Sequence, residues 1–289
     1  MQRDDTPIKE VVVIGAGRAG TGIALALVRG GVSTKIATRG RTDLTEGVPT
    51  TTLNRLALPV PASTVLLFAV PDRFIHETAS SLARRDDIAR GIRAAGHISG
   101  ALPSSILRDA GLTCDVFSAH PLLSFPETRP ARAMPVDTFV TVEGEPAARA
   151  LAFRILLAAG ARTVAIRSED KPLCHAAAVL CANLPASLVW AASDLLASCG
   201  IPEAPLAATR LFCSMADNLA ASPAPSAVTG PFARGDASTI ALNLAALRER
   251  APDTADIYIR LGRILLGRLR TDGVLTEDTW KRIEHDLMA

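Results

Sequence analysis

Lys171 and His175 stand four residues apart in the run Lys171-Pro172-Leu173-Cys174-His175, a spacing that puts an ammonium and an imidazole on one helix face. Such a pair can stabilise negative charge forming on a substrate and supply a proton to it. A further titratable group, His120, follows an apolar stretch in Ser118-Ala119-His120-Pro121, and near neutral pH an imidazole accepts or donates a proton. In His97-Ile98-Ser99-Gly100, Ser99 is the better candidate for a cleft, and His97 reads as strand-end packing. Asn183 lies eight residues beyond His175. On one unbroken helix it would sit about 80° around and roughly 12 Å along, able to touch another part of a substrate or cofactor. The plainer alternatives are a surface charge for Lys171, structural hydrogen bonds for His175 and Asn183, and a turn residue for His120.

A dinucleotide-binding fingerprint opens the chain. Val11-Val12-Val13-Ile14 is an apolar run short enough for a buried strand, Gly15, Gly17 and Gly20 follow as G-x-G-x-x-G, and an apolar helical pattern begins at once. Gly15 permits the turn, Gly17 lets a pyrophosphate approach the backbone, and Gly20 lets helix and strand pack. Arg18 and Ala19 lie between the glycines, where free N–H groups of a helix start favour phosphate. The second strand, Thr34–Thr38, leads into Thr38-Arg39-Gly40-Arg41, where an NAD-selective domain usually carries an acid. Arginine forks can bind a 2′-phosphate instead, so Arg39 and Arg41 point to NADP. Solvated loop charges are the alternative, and Asp43 is the nearest acid on the other side of the argument. Val70 and Pro71 close the strand Thr64–Val70 and belong to the same cofactor edge.

Strands near residues 48–52, 64–70, 97–99, 115–119, 138–142 and 163–166 alternate with helical patterns, which predicts an α/β fold: a Rossmann-type, mainly parallel sheet with its ligand crevice beyond the carboxyl ends of the strands. Strand signals stop near Ser168, and apolar-periodic segments follow. We therefore divide the chain into a dinucleotide-binding domain, 1–165, and an all-α domain, 166–289, for substrate and dimerisation. Ala176–Ala197 is almost continuously apolar but includes Asn183, Pro185 and Asp194. A buried helix in a helical domain or dimer explains it better than a membrane span, and Pro185 should bend it.

The bulk numbers narrow the classes. With 31 basic against 29 acidic residues the net charge is only +2, which argues against a nucleic-acid partner. Five cysteines without CxxC or zinc-type spacing suggest free, mostly buried thiols in a reducing compartment, and MQRDDTPIKE carries no apolar signal core; the expectation is a cytoplasmic protein. No residue cluster has metal-ligand spacing, Ser104-Ser105 lacks the setting of a nucleophile, and Trp190 and Trp280 read as packing residues.

The glycine fingerprint, the Ser99-Gly100 pair, the run His120-Pro121-Leu122-Leu123-Ser124-Phe125, the helix from His175 to Asn183, and the loop Thr229-Gly230-Pro231-Phe232-Ala233-Arg234-Gly235-Asp236 together resemble a two-domain family. That family pairs a Rossmann-like NADP-binding domain with a helical C-terminal domain of unassigned function, and is similar to ketopantoate reductases, pyrroline-5-carboxylate reductases and prephenate dehydrogenases. The resemblance implies that Lys171 acts on a substrate carbonyl or hydroxyl, although His175 stands where relatives carry asparagine. It implies a polar role for His120, beside a hydroxyl that loses a proton, and makes Arg234 a carboxylate or phosphate ligand. The simpler reading of that last loop is a shaped turn whose Asp236 caps the next helix. The combined expectation is a NADPH-dependent reductase of a small oxo acid or imino acid, ketopantoate being the first candidate. The alternatives are a prephenate-like hydroxy-acid dehydrogenase and a non-catalytic NADP-binding sensor or scaffold.

Overall fold

A computed structural model describes residues 8–40, 47–59, 62–125, 131–222 and 227–288. Among these residues eight strands form one sheet: β1 Glu10–Ile14, β2 Thr34–Thr38, β3 Thr50–Thr52, β4 Thr64–Phe68, β5 Ile92–His97, β6 Asp115–Pro121, β7 Phe139–Gly144 and β8 Arg162–Ala165. Their order is β3-β2-β1-β4-β5-β6-β7-β8, and among the described residues only the β6–β7 pairing is antiparallel. The first six strands have the Rossmann order, whose direction reverses between β1 and β4. Helices α1 (Arg18–Arg29), α2 (Ile75–Ala83), α3 (Asp86–Ala89), α4 (Ser105–Asp109), α5 (Pro146–Ala158) and α6 (Lys171–Ala182) complete the first compact unit, Met1–Ala182.

Continuous apolar strands are what a sheet covered on both faces requires. Val11, Val13, Val65, Leu67, Phe117, Val140 and Val142 pack into one core with Ile23 and Leu27 of α1 and Ile155 of α5. Val12, Ile14, Leu66, Phe68 and Val116 pack into the other with Ile75, Ala79 and Leu82 of α2. On this second face one transverse row runs Ile14, Phe68, His97, Ser118, Glu143 through successive pairings. All five are buried, so the row changes from apolar to polar inside the protein. Burying those polar groups is costly unless each is hydrogen-bonded.

The second unit, Asn183–Ala289, is helical: α7 Pro185–Ser198, α8 Ala204–Ala221, α9 Pro231–Arg234, α10 Ala237–Arg250, α11 Pro252–Thr271 and α12 Glu277–Met288. Phe232, Ile240, Leu266, Leu269, Ile283 and Leu287 form its small core. Asp236 caps α10, its Oδ1 accepting from the Thr239 N–H at 3.1 Å. The strands do end before Ser168, but α6 stays with the sheet, so the compact units part at Ala182/Asn183 rather than at 165/166.

Three expectations need correcting. The apolar run 176–197 is not one buried helix: it breaks between α6 and α7, Pro185 taking the first turn of α7, where its missing N–H costs nothing. Leu180, Leu184, Leu188 and Trp190 remain exposed on this chain, Trp190 at 68%, so Trp190 does not pack within the chain, whereas Trp280 packs on the helical core with the Arg270 guanidinium 3.9 Å from its ring centre. The stretch 168–198 is long and apolar enough by composition to cross a membrane, but Asn183-Leu184 interrupts its helix. The cysteines are not mostly buried either: Cys181 on α6, Cys199 just past α7 and Cys213 on α8 are exposed.

Candidate functional site

The glycine loop joins β1 to α1 where the strand order reverses. Gly15 has φ +115°, and a Cβ there would lie 2.5 Å from the Ala69 carbonyl oxygen; one on Gly20 would lie 2.3 Å from the Gly15 oxygen. Both glycines are therefore demanded by the turn itself. Gly17 differs. Its φ is −70°, it caps α1 without a side-chain bond, and among the described residues a Cβ on it would meet nothing within 4 Å. That unfilled space opens on a cavity of about 320 Å³ lined by Gly15, Gly17, Thr38, Arg39, Val70 and Pro71, among others. Arg18, Ala19 and Gly20 form the first turn of α1, which holds no acidic residue. The cradle fits a dinucleotide: backbone N–H groups, a positive helix end and no side chain in the way.

Arg39 lines the same cavity, its guanidinium carbon 5.3 Å from the Phe74 ring centre. The Arg73 guanidinium carbon is 4.7 Å from that ring. Among the described residues neither arginine forms an ion pair. Arg41 and Asp43 lie outside the described residues. Arg73 was not legible as a site residue, because only the fold sets the turn after β4 beside the end of β2.

The polar constellation gathers at the carboxyl end of β5 and along the second half of β6. Lys171, at the start of α6, is 1% exposed. Its Nζ donates to the Ser99 carbonyl at 2.9 Å and to Ser118 Oγ at 2.6 Å. No carboxylate among the described residues pairs with it, and two of its three N–H groups are engaged. Burial pushes its pKa below the ordinary lysine value, with Glu143 and then Asp72 opposing. Ser99 is pinned from several sides: its Oγ donates to Asp72 Oδ2 at 2.7 Å and accepts from the Ala101 and Leu102 N–H groups. The His120 and His175 rings meet edge to face, centroids 5.3 Å apart. Gly100 makes room for both, since a Cβ there would lie 2.3 Å from His175 Nδ1 and 2.9 Å from His120 Cε1.

Thus Ser99, His120, Lys171 and His175 come together in the first unit. Asn183 and Arg234 do not join them there. Asn183 opens the second unit in the turn before α7, so the continuous-helix spacing from His175 does not hold, and Arg234 ends α9. Ser118, Asp72 and Glu143 were missed as site residues. Ser118 and His120 share a strand face by period-two alternation, a signal present in the sequence, whereas the contacts of Asp72 and Glu143 depend on tertiary packing.

His97 donates from Nε2 to the Pro103 carbonyl at 3.1 Å with Nδ1 accepting from the Ser99 N–H, the neutral tautomer that satisfies both neighbours. Burial pushes its pKa down to about 4. Burial, then the nearby His175 and Lys171, does the same for His120, also to about 4. Between pH 6.5 and about 4 the unfolded chain binds protons that these folded-state imidazoles do not. Their contribution to stability is therefore full above pH 6.5 and is lost as pH falls through that window. For His97 the loss is about 3 kcal/mol. Denaturant titrations of His97→Gln should show a flatter loss of stability from pH 7 to 4.5 than the parent, and parallel curves would refute this origin.

Residues 138–264 match the family model described as Domain of unknown function (DUF2520), a span that includes Lys171 and His175. No curated protein matches the chain. Among solved structures it is similar to protein TM1727 from Thermotoga maritima, with 23% identity, 90% of this chain and 99% of that one covered, and a TM-score of 0.69. It is similar to a NADH-preferring ketol-acid reductoisomerase from an uncultured archean, with 14% identity, coverage of 96% and 82%, and a TM-score of 0.58. It is also similar to Plasmodium falciparum pyrroline carboxylate reductase with NADP bound, at 9% identity, coverage of 96% and 98%, and a TM-score of 0.58. These likenesses establish the fold, a Rossmann-type sheet followed by a helical region, in agreement with the resemblance carried by the motifs.

Proposed function

We propose that this protein is a NADPH-dependent reductase of a small oxo acid or imino acid, with ketopantoate the first substrate to test. One observation carries the reading: a buried lysine with a donor to spare sits at the carboxyl end of β5 in the same sheet whose glycine loop leaves an open phosphate-sized approach. A nicotinamide cofactor, when bound, would supply the hydride. Gly15, Gly17 and the first turn of α1 would hold its phosphates, and Arg39 with Arg73 would take the 2′-phosphate through guanidinium forks. The fold does not choose the cofactor, since one solved structure of this fold prefers NADH; the choice rests on these arginines. Lys171 would stabilise charge developing on the substrate oxygen or nitrogen and give it a proton. His120, neutral at physiological pH, is better suited to orient the substrate by a hydrogen bond than to act as the acid. The exposed apolar residues of α7 and α8 support a homodimer joined through the second unit.

Equilibrium titration should show tighter binding of NADPH than of NADH. Arg39→Asp is expected to shrink that preference by about 10- to 100-fold, replacing a charge-assisted donor with a repelling carboxylate. An unchanged preference would take Arg39 out of the site. Tight NADPH binding with no turnover across a broad panel of oxo acids and cyclic imines would instead favour the sensor reading.

A further inference from the structure

Glu143 is a buried carboxylate that the proposed chemistry does not use. It is 3% exposed on β7 and makes no ion pair among the described residues. Its Oε1 accepts from the Ser104 N–H at 2.7 Å, and its Oε2 accepts from Ser104 Oγ at 2.9 Å and Ser168 Oγ at 2.8 Å. Ser104 belongs to the segment that continues from Ser99, and Ser168 opens the turn that runs directly into Lys171. Across the antiparallel ladder Glu143 faces Ser118, whose hydroxyl receives the Lys171 Nζ. One carboxylate thus ties together the chain segments that form the socket for the ammonium.

Bracing alone does not call for a charge. A glutamine could accept from the same amide and exchange hydrogen bonds with the two hydroxyls, without the desolvation cost of a buried carboxylate. The charge gains its reason from Lys171, another buried ion with no contacting counter-ion. We propose that Glu143 is the positioning residue for Lys171: it anchors the turn that launches α6 and places a negative charge behind Ser118, opposite the ammonium. The role of Lys171 rests on the proposed function; the coupling between the two residues does not.

Other groups also face the ammonium: His97 from β5, His120 from β6, Asp72 from the turn after β4, and Cys174 from its own helix, while His175 packs on His120. Of the two carboxylates, Glu143 opposes the effect of burial on Lys171 more strongly than Asp72 does. Removing its charge should therefore lower the Lys171 titration further, and Asp72→Asn should do so less.

The chain has only four lysines, Lys9, Lys35, Lys171 and Lys281, so each can be followed by NMR in protein labelled at the lysine side chains. The Lys171 signal is the one missing from Lys171→Met. In the parent protein it should titrate below the other three. In Glu143→Gln its midpoint should fall by about one pH unit further, a tenfold change in the protonation equilibrium, with the fold unchanged by circular dichroism. Ser168→Ala keeps the charge and removes one anchor, so it should speed amide exchange at residues 168–171 severalfold. A folded Glu143→Gln with the parent's Lys171 midpoint would overturn the inference. If that variant does not fold, unchanged exchange in Ser168→Ala overturns it instead. A Lys171 that titrates like the other lysines in the parent protein would count against its proposed catalytic role, a separate failure.

Discussion

Gly17→Val is expected to fold and melt like the parent protein yet bind NADPH at least about 100-fold more weakly, a loss near 2.7 kcal/mol. The neighbouring glycines show why this position is informative. A methyl group on Gly15 or Gly20 would run into backbone, 2.5 Å from the Ala69 oxygen and 2.3 Å from the Gly15 oxygen respectively. Gly20→Ala should therefore destabilise the protein by several kcal/mol, through overpacking where backbone cannot yield. Gly17 carries neither burden. Its φ of −70° suits any residue, and among the described residues nothing lies within 4 Å of the space a Cβ would take. Only a ligand needs that space. Calorimetric titration with NADPH, beside thermal melts of both variants, separates the two effects. Parent-like affinity in folded Gly17→Val would remove the phosphate loop from the proposed function.

That loop was legible because its signal is local. The strand, the glycine spacing and the helix occupy consecutive residues, and Gly15 and Gly20 are fixed by backbone close to them while Gly17 leaves its space open. The helix face shared by Lys171 and His175 was legible for the same reason. Distance along the chain failed where the backbone changed course: Asn183 falls beyond the end of α6, so extrapolating one helix through it misplaced it. The row His97, Ser118, Glu143 arises from strand register between segments far apart in sequence, and no local pattern announces register. One global signal was present but subtle. A chain that meets its need for positive charge almost entirely with arginine keeps lysine at 171. Arginine cannot give up a proton in a protein, whereas a buried lysine can. The exposed face of α7 and α8 misled in the opposite way, since apolar composition predicts burial without saying whether the cover comes from the same chain.

Lys171→Met should lower turnover by about 10³-fold, on the order of 4 kcal/mol of transition-state stabilisation, with NADPH affinity within a factor of about two because the cofactor cradle is formed by other residues. Methionine fills nearly the same volume and removes the desolvation cost of a buried ammonium, which offsets part of the support Glu143 loses, so the fold should be retained. The Ser99 carbonyl and Ser118 Oγ each lose a donor, but Ser118 Oγ already donates to that carbonyl at 3.4 Å, so the carbonyl keeps a partner. Lys171→Arg supplies the contrast. It keeps a positive charge, but the bulkier guanidinium has no room at a position only 1% exposed and no proton to give, so charge alone should not rescue turnover. His120→Asn should cost far less, about tenfold, because asparagine can still make a neutral hydrogen bond. Steady-state measurement of kcat and kcat/KM on one accepted substrate distinguishes these roles: equal losses in both for Lys171→Met place its contribution in the transition state. Full turnover in Lys171→Met, with the parent's pH profile, would leave a nucleotide-binding fold whose chemistry lies elsewhere.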